Sequence, residues 1–511
     1  MLINQPEDLT LDSPLPIELS QNLLDRLATT RNAVLEALNA GDPVYGVNTG
    51  MGAMSKIRLT DEEQRVHQRN LLLGRAVGGP PWLSPEEARA VIITRLRTFL
   101  TGDAGVSPAL CQQLATLLNT GYIPAIPITG SGSAGEIIPL AHAFGPLIGI
   151  GSFVAPGASP APPAPGADAA RGAPAASGAG AAPAASGAGA ALAVSGADLA
   201  PSLVSAEGVL PRFELGTKEG IALLAGVPGA TGRAWLQVGV GERLVERMSS
   251  VAAGSIAVIG ASRDPYNPLC GRGDEVLTDE LSRILSLAGP EDHPRTLQAP
   301  VSFRVAGQVI SHVRRSITRL DEAVHRALNG VTDSPAFLDG TFVGTAGFHG
   351  IDLAAHCDQL VAALAHAAEV SAARLHRLLD PAVTGLPAQL AHEPGPQAGL
   401  VAVHKRAVAS VHQLRRLTLP AAIGSIETSN GQEDVQSFSW EAVANLAEAH
   451  RLTREILGCE LLAVYQAFNL SNREAPEGLR EFLADVAAVV PPIEADRPYG
   501  EDLTRLIDHA L

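Results

Sequence analysis

An all-α chain organised round a long central helix bundle is predicted by three features of the sequence. Apolar residues recur at spacings of three and four through much of its 511 residues. Two tracts, 351–380 and 439–470, run beyond 25 residues with no internal proline until the end, which favours a long bundle over small globular units. Segments with the period-two alternation of strands are scarce.

Near the N-terminus, SQNLLDRLATTRNAVLEALNA (20–40), SPEEARAVIITRLRTFLTG (84–102) and SPALCQQLATLLNTG (107–121) each open on a Ser or Ser-Pro cap and read as amphipathic helices. ITGSGSAGEIIPLAHAFGPLIG (128–149) then runs a Gly/Ser turn straight into an apolar helix carrying Glu136 and His142. A break follows at 153–205, rich in Ala, Gly and Pro, where APAASGAG occurs at 173–180 and its near-repeat at 182–189. Pro and Gly prevent a continuous helix there, and Ala offers too little apolar area to offset the entropy of ordering. The segment is therefore expected to be a disordered insertion, with at most a weak Ala-rich helix at 187–193. Three regions result: 1–152, the insertion 153–205, and a helical remainder 206–511. His356, His366 and His376, spaced ten apart, do not share one helix face and are expected to be structural or solvent-facing.

The net charge of −16 opposes unassisted binding to phosphate backbones, which depends on clustered Lys and Arg, so nucleic acid is not an expected partner. Cys111, Cys270, Cys357 and Cys459 form no CxxC pair and have no histidine at ligand spacing. They read as reduced thiols of a cytoplasmic protein, and no metal site is expected. The opening MLINQPEDLTLDSPLP is acidic and does not read as a signal peptide. Outside the Ala/Gly-rich stretch no run of about 18 uncharged apolar residues occurs, so no membrane span is expected.

The motifs narrow the class. YGVNTGMGAMSKIRL (45–59) alone reads as a glycine-rich turn with a packing tyrosine. HQRNLLLGRAVGG (67–79), GTKEGIALLAG (216–226), LNGVTDSPAF (328–337), GTAGFHG (344–350) and SIETSNGQEDVQS (425–437) follow it. In that order, and with 128–149, these segments resemble the histidine and phenylalanine ammonia-lyase (aromatic amino acid lyase) family over nearly the whole chain outside the insertion. The resemblance implies an all-helical subunit with a central bundle. It also implies a homotetramer whose active sites each take residues from three subunits, and a small-molecule substrate. In such enzymes an Ala-Ser-Gly tripeptide cyclises and dehydrates into an electrophilic methylidene-imidazolone, the middle serine losing its hydroxyl to create the exocyclic double bond.

This chain departs from that pattern. Ser133-Ala134-Gly135 stand before the matching PLAH, and the stretch from Pro127 to Glu136 is one residue shorter than the family's. Ala134 has no hydroxyl to lose, so no such cofactor is expected. A shifted Gly130-Ser131-Gly132 would place the electrophile about a helical turn from the position that IIPLAH fixes. Three asparagines of the family pattern are replaced, by Ala225, Gly347 and Gly431.

Other site residues are carried over by the same resemblance. Tyr45 matches a catalytic tyrosine that takes a proton from the carbon next to the leaving-group carbon. A phenol is a poor base until a cationic or hydrogen-bonded setting lowers its pKa. Arg75, which stands where the family carries a histidine, is the expected cationic neighbour and suits a carboxylate or phosphate. LQAPVSFRVAGQV (297–309) resembles the segment that clamps the substrate carboxylate, which makes Arg304 the clamp and puts Ala299 and Val301 at its Asp and Tyr positions. RDPYNPLC (263–270) imitates that motif but offers Leu269 where the arginine should stand. Phe348, Gln432 and Glu433 match lining residues. His404, with Lys405 beside it, falls at a position facing substrate in the family, although a surface polar residue on a helix is an equal reading.

Two functional classes compete. In the first, the chain is a lyase that eliminates an amine or another leaving group without the electrophile, as chemistry permits when a quaternary ammonium departs unaided. A trimethylammonia-lyase branch of the family is similar in lacking that group. In the second, the scaffold serves conjugate addition, cyclisation or dehydration in a biosynthetic pathway, or a non-catalytic role. Retention of Tyr45 and Arg304 argues against a dead scaffold.

Overall fold

The computed structural model describes residues 1–154, 202–291, 298–471 and 473–511. Most of the insertion and the helix expected at 187–193 lie outside them. The N-terminal part carries α1 (Gln21–Asn39), α2 (Asp61–Leu73), α3 (Pro85–Phe99), α4 (Pro108–Thr120), α5 (Ile137–Phe144) and α6 (Glu219–Leu224). The larger part carries α7 (Pro228–Ile259), α8 (Glu275–Ala288), α9 (Ala306–Asn329), α10 (Ile351–Leu378), α11 (Pro381–Thr384), α12 (Val401–Arg416), α13 (Ser439–Ser471), α14 (Glu477–Val489) and α15 (Tyr499–His509).

Helix starts follow local chemistry. At α3, Ser84 Oγ accepts the Glu87 N–H at 3.2 Å, Glu87 accepts the Ser84 N–H at 3.3 Å, and Pro85 occupies the first helical position. α4 starts likewise on Ser107 and Pro108 and stops at Gly121, whose φ of +72° suits a residue without Cβ.

Two apolar cores result. One gathers buried residues from Ile3 to Leu224 together with Trp440, and the other runs from Val227 to Ala510. The first core reaches past position 206 because α6 packs on α2 and α5, not on the bundle. Strands β1 (Ser152–Val154) and β2 (Leu203–Ser205) pair antiparallel with Val154 opposite Leu203, so the two ends of the expected insertion are clasped side by side. Residues 153–154 and 203–205 are thus ordered, contrary to expectation. Phe153, fully buried against Tyr122 at 5.2 Å, supplies the apolar area that the Ala/Gly repeat lacks.

In the bundle α10 packs on α9, α12 and α13, and α13 packs on α7 and α12. Inside it, fully buried Glu460 accepts Arg374 Nε–H at 2.6 Å and Nη2–H at 2.8 Å, and also the Ser255 hydroxyl at 2.6 Å, so the charge is not stranded. α3 crosses α7, and Gly232 permits the approach: a Cβ there would fall 2.5 Å from the Ala90 carbonyl oxygen. No helix among the described residues is long and apolar enough to cross a membrane. The N-termini of α7, α10 and α13 meet at one end of the bundle, where a Cβ on Gly350 would lie 3.0 Å from both Val227 and Ser439.

Candidate functional site

The turn ahead of α5 lies at this end. The Ser133 hydroxyl donates to the Gly135 carbonyl at 2.7 Å and the Ser131 hydroxyl to the same oxygen at 3.3 Å. The Ala134 N–H donates to Glu433 Oε2 at 2.9 Å, and the Ser131 N–H to Glu441 Oε1 at 3.2 Å. Ser429 Oγ donates to the other Glu433 oxygen at 3.1 Å. Gly135 faces the backbone of Gly226 and Phe348, because a Cβ on it would lie 3.6 Å and 3.9 Å from their carbonyl oxygens. Ser133, Ala134, Gly135, Phe348 and Glu433 are therefore brought together. Gln432, by contrast, is exposed, and no side-chain bond ties it to this group.

Gly347 has a local reason to lack a side chain. A Cβ there would fall 2.1 Å from the Val331 carbonyl oxygen and 3.0 Å from Thr332 Cα. The backbone at 331–332 closes the space that an asparagine would need. The GTKEG and VTDSP motifs meet through a buried ion pair, Lys218 Nζ to Asp333 Oδ2 at 2.7 Å, which reads as architecture.

Tyr45 sits in the loop between α1 and α2, and its Oη accepts the Gly52 N–H at 2.8 Å. Gly46, at φ +67°, takes a left-handed conformation that suits a residue without Cβ. Asn48 serves the loop itself, accepting the Val44 N–H at 2.7 Å. Arg75 reaches back to donate from Nη1 to the Leu71 carbonyl at 3.3 Å, with Nη2 3.9 Å from Met51 Sδ. Burial lowers the Arg75 pKa, opposed by the charges of Tyr45 and Glu433, which places all three in one electrostatic neighbourhood. The segments Gly52–Met54 and Ser429–Gly431 also pack together.

Arg304, His404 and Lys405 lie elsewhere. The Ser302 carbonyl, two residues before Arg304, accepts Arg374 Nη1–H at 3.5 Å, and His404 stacks on His376 with ring centres 4.8 Å apart and planes at 7°. Both partners are near the C-terminus of α10, whereas Phe348 precedes its N-terminus. At 1.5 Å per residue, Ile351 and Arg374 are separated by about 35 Å. One chain therefore does not bring Arg304, His404 or Lys405 to Tyr45. Lys405 is exposed, and the Arg304 Nε is buried without a hydrogen-bond partner among the described residues. Burial and the neighbouring His376 lower the His404 pKa. His356 and His366 have ordinary surface partners, Asp352 at 3.4 Å and Glu369 at 3.9 Å. The imitating motif at 263–270 is structural: the Tyr266 hydroxyl donates to the Phe303 carbonyl at 2.6 Å.

Glu136 was legible only as a residue at a helix start. It is fully buried and accepts the N–H groups of Gly229 and Ala230, each at 2.7 Å, so it caps α7. Burial pushes its pKa up to about 7, opposed by those two N–H bonds and by Arg95 and Arg233. His67 gave no signal beyond its residue type. It lies one turn before Leu71 on α2, with Nε2 buried and without a hydrogen-bond partner among the described residues.

Residues 7–488 match the family described as aromatic amino acid lyase. A histidine ammonia-lyase of Streptomyces coelicolor is 30% identical over 502 residues, covering 95% of this chain and 90% of that protein. One of Streptomyces griseus is 31% identical over 489 residues, covering 93% and 86%. Among solved structures, the ergothioneine-degrading ergothionase of Treponema denticola, in complex with desmethyl-ergothioneine sulfonic acid, shares the fold. The TM-score is 0.83 at 21% identity, covering 99% of this chain and 96% of that one. A histidine ammonia-lyase from Trypanosoma cruzi also has a TM-score of 0.83, at 22% identity, covering 99% and 92%.

Proposed function

The chain belongs to the aromatic amino acid lyase family, and we propose that it is a lyase performing β-elimination on a small carboxylate-bearing substrate without the family's electrophilic prosthetic group. The observation that carries this reading is Ala134. The prosthetic group needs a hydroxyl on the middle residue of its tripeptide. Ala134 offers none, its N–H is held by Glu433, and the flanking Ser133 hydroxyl is engaged on the Gly135 carbonyl. The residues present do not fit the group. Ser131 does not supply a substitute: it is 3% exposed, with its N–H on Glu441 and its hydroxyl on Gly135.

In this chemistry the leaving group must depart unaided. Tyr45 takes the proton from the carbon next to the leaving-group carbon, and the C–H pair becomes the new double bond. The C–N pair leaves with the nitrogen, so a quaternary ammonium departs as a neutral amine. The base is the phenolate of Tyr45, whose Oη charge faces the Gly52 N–H and the field of the Arg75 guanidinium and is discharged as the proton is taken. Arg304 clamps the carboxylate as a bidentate fork. Because it is far from Tyr45 in one chain, the clamp comes from another copy, as does His404 with Lys405. The site therefore requires the homotetramer.

Intact-mass measurement tests the reading. The mass is expected to equal that of the unmodified sequence. A deficit of two waters with borohydride-sensitive near-ultraviolet absorbance would overturn it.

A further inference from the structure

Arg75 is half-buried and makes no ion pair among the described residues. The carboxylate whose charge reaches it, Glu433, is already committed to the Ala134 N–H and the Ser429 hydroxyl. His67 lies one turn of α2 before Leu71, whose carbonyl the guanidinium bonds, and its Nε2 is buried with no partner among the described residues. Burial and the Arg75 charge hold this imidazole below the usual histidine range, so it is neutral at pH 7 and can present Nε2–H as a donor. A guanidinium with no ion pair among the described residues, and an imidazole nitrogen without a partner one helical turn from the carbonyl that guanidinium bonds, are both left unsatisfied by an aromatic ring and both satisfied by an oxyanion.

We propose that Arg75 and His67 form a subsite for a compact anionic group, a carboxylate or a phosphate, at the end of the substrate away from the carboxylate held by Arg304. The substrate is then a dianion in its acidic groups and not an aromatic amino acid. This inference rests on the reading of the Tyr45 region as the active site. It goes beyond that reading in naming the substrate's second charge and a residue, His67, that recognises it. Met51, whose sulfur lies 3.9 Å from Arg75 Nη2, bounds the subsite on the Tyr45 side and offers no competing charge.

Isothermal titration of the full chain with succinate, hydrocinnamate and inorganic phosphate at pH 7.5 tests it. Succinate and hydrocinnamate share one carboxylate and differ in the second group, an anion or a phenyl ring. Succinate is expected to bind at least about tenfold more tightly, the value of one charge-assisted hydrogen bond. Arg75→Gln should reduce that preference to within about threefold, and His67→Leu should weaken succinate about tenfold while leaving hydrocinnamate unchanged. Competition between phosphate and succinate assigns a phosphate-bearing substrate, and its absence assigns a dicarboxylate. Equal affinities, no succinate binding, or full wild-type selectivity in both variants would overturn the subsite. Binding is read without turnover, so this outcome is independent of whether Tyr45 performs elimination.

Discussion

Replacing Glu136 by Gln probes the hinge between the Ser133–Gly135 turn and the bundle. The side chain is fully buried, its two oxygens accept N–H bonds of 2.7 Å from Gly229 and Ala230, and burial raises its pKa from 4.5 to about 7. Between those values the folded chain keeps a proton that the unfolded chain has released, so stability falls as pH rises through this window and levels off above about 7. At 1.36 kcal/mol per pKa unit the loss is about 3 kcal/mol. Gln does not titrate, but its amide nitrogen cannot accept an N–H, so it keeps only one of the two bonds from Gly229 and Ala230. At pH 5 the variant should therefore melt lower, by the equivalent of about 1–3 kcal/mol for the donor left unpaired, and by pH 8 that deficit should shrink as the parent loses stability. Thermal unfolding at the two pH values, followed by tryptophan fluorescence, reads the difference. If the two N–H bonds and the nearby Arg95 and Arg233 outweigh desolvation, the deficit will instead widen at pH 8. That result would refute the burial argument and place Glu136 among permanently charged helix caps.

Tyr45→Phe keeps the ring and removes the oxygen that accepts from Gly52, so turnover of a substrate with a good β-leaving group is expected to fall by about 10²–10⁴-fold, with binding retained in calorimetry. Gly347→Asn should lower the melting temperature by the equivalent of about 1–3 kcal/mol, because a Cβ would meet the Val331 carbonyl at 2.1 Å and the neighbour is backbone. Light scattering at micromolar concentration is expected to give a tetramer mass. A monomer would leave Arg304 near the C-terminus of α10, away from Tyr45, and remove the proposed carboxylate clamp.

The sequence made the helices legible where the chemistry is local. Ser84-Pro85 and Ser107-Pro108 announce their helices through caps that depend on a few adjacent residues. The edges of the insertion were not legible, because the pairing of Val154 with Leu203 is a contact across the whole low-complexity stretch and composition reports nothing about it. The site divides in the same way. Ala134 can be read directly, since a missing hydroxyl is a property of one residue. Gly347 can be read only as a substitution until the fold shows the Val331 backbone occupying the place of its side chain. His67 and Glu136 are invisible for a related reason: what marks them is an unpartnered nitrogen and a buried carboxylate, both consequences of packing.

Arg304 sets a different limit, one that a single chain also carries. Its motif identifies it as a carboxylate clamp by resemblance, yet α10 holds its neighbourhood at the end of the bundle remote from Tyr45. Motif order along the chain therefore names candidate members of the proposed site without saying which copy would supply each one. The sorting itself supports the shared site. Tyr45, Arg75, Phe348, Glu433 and the Ser133–Gly135 turn fall at one end of the bundle, and Arg304, His404 and Lys405 at the other. A buried, unpartnered Nε does not by itself mark a ligand site, because Arg95, Arg97, Arg454 and Arg505 share that condition with Arg304. The proposed clamp therefore rests on the motif at 297–309 and on an assembly that would bring Arg304 of one copy to Tyr45 of another.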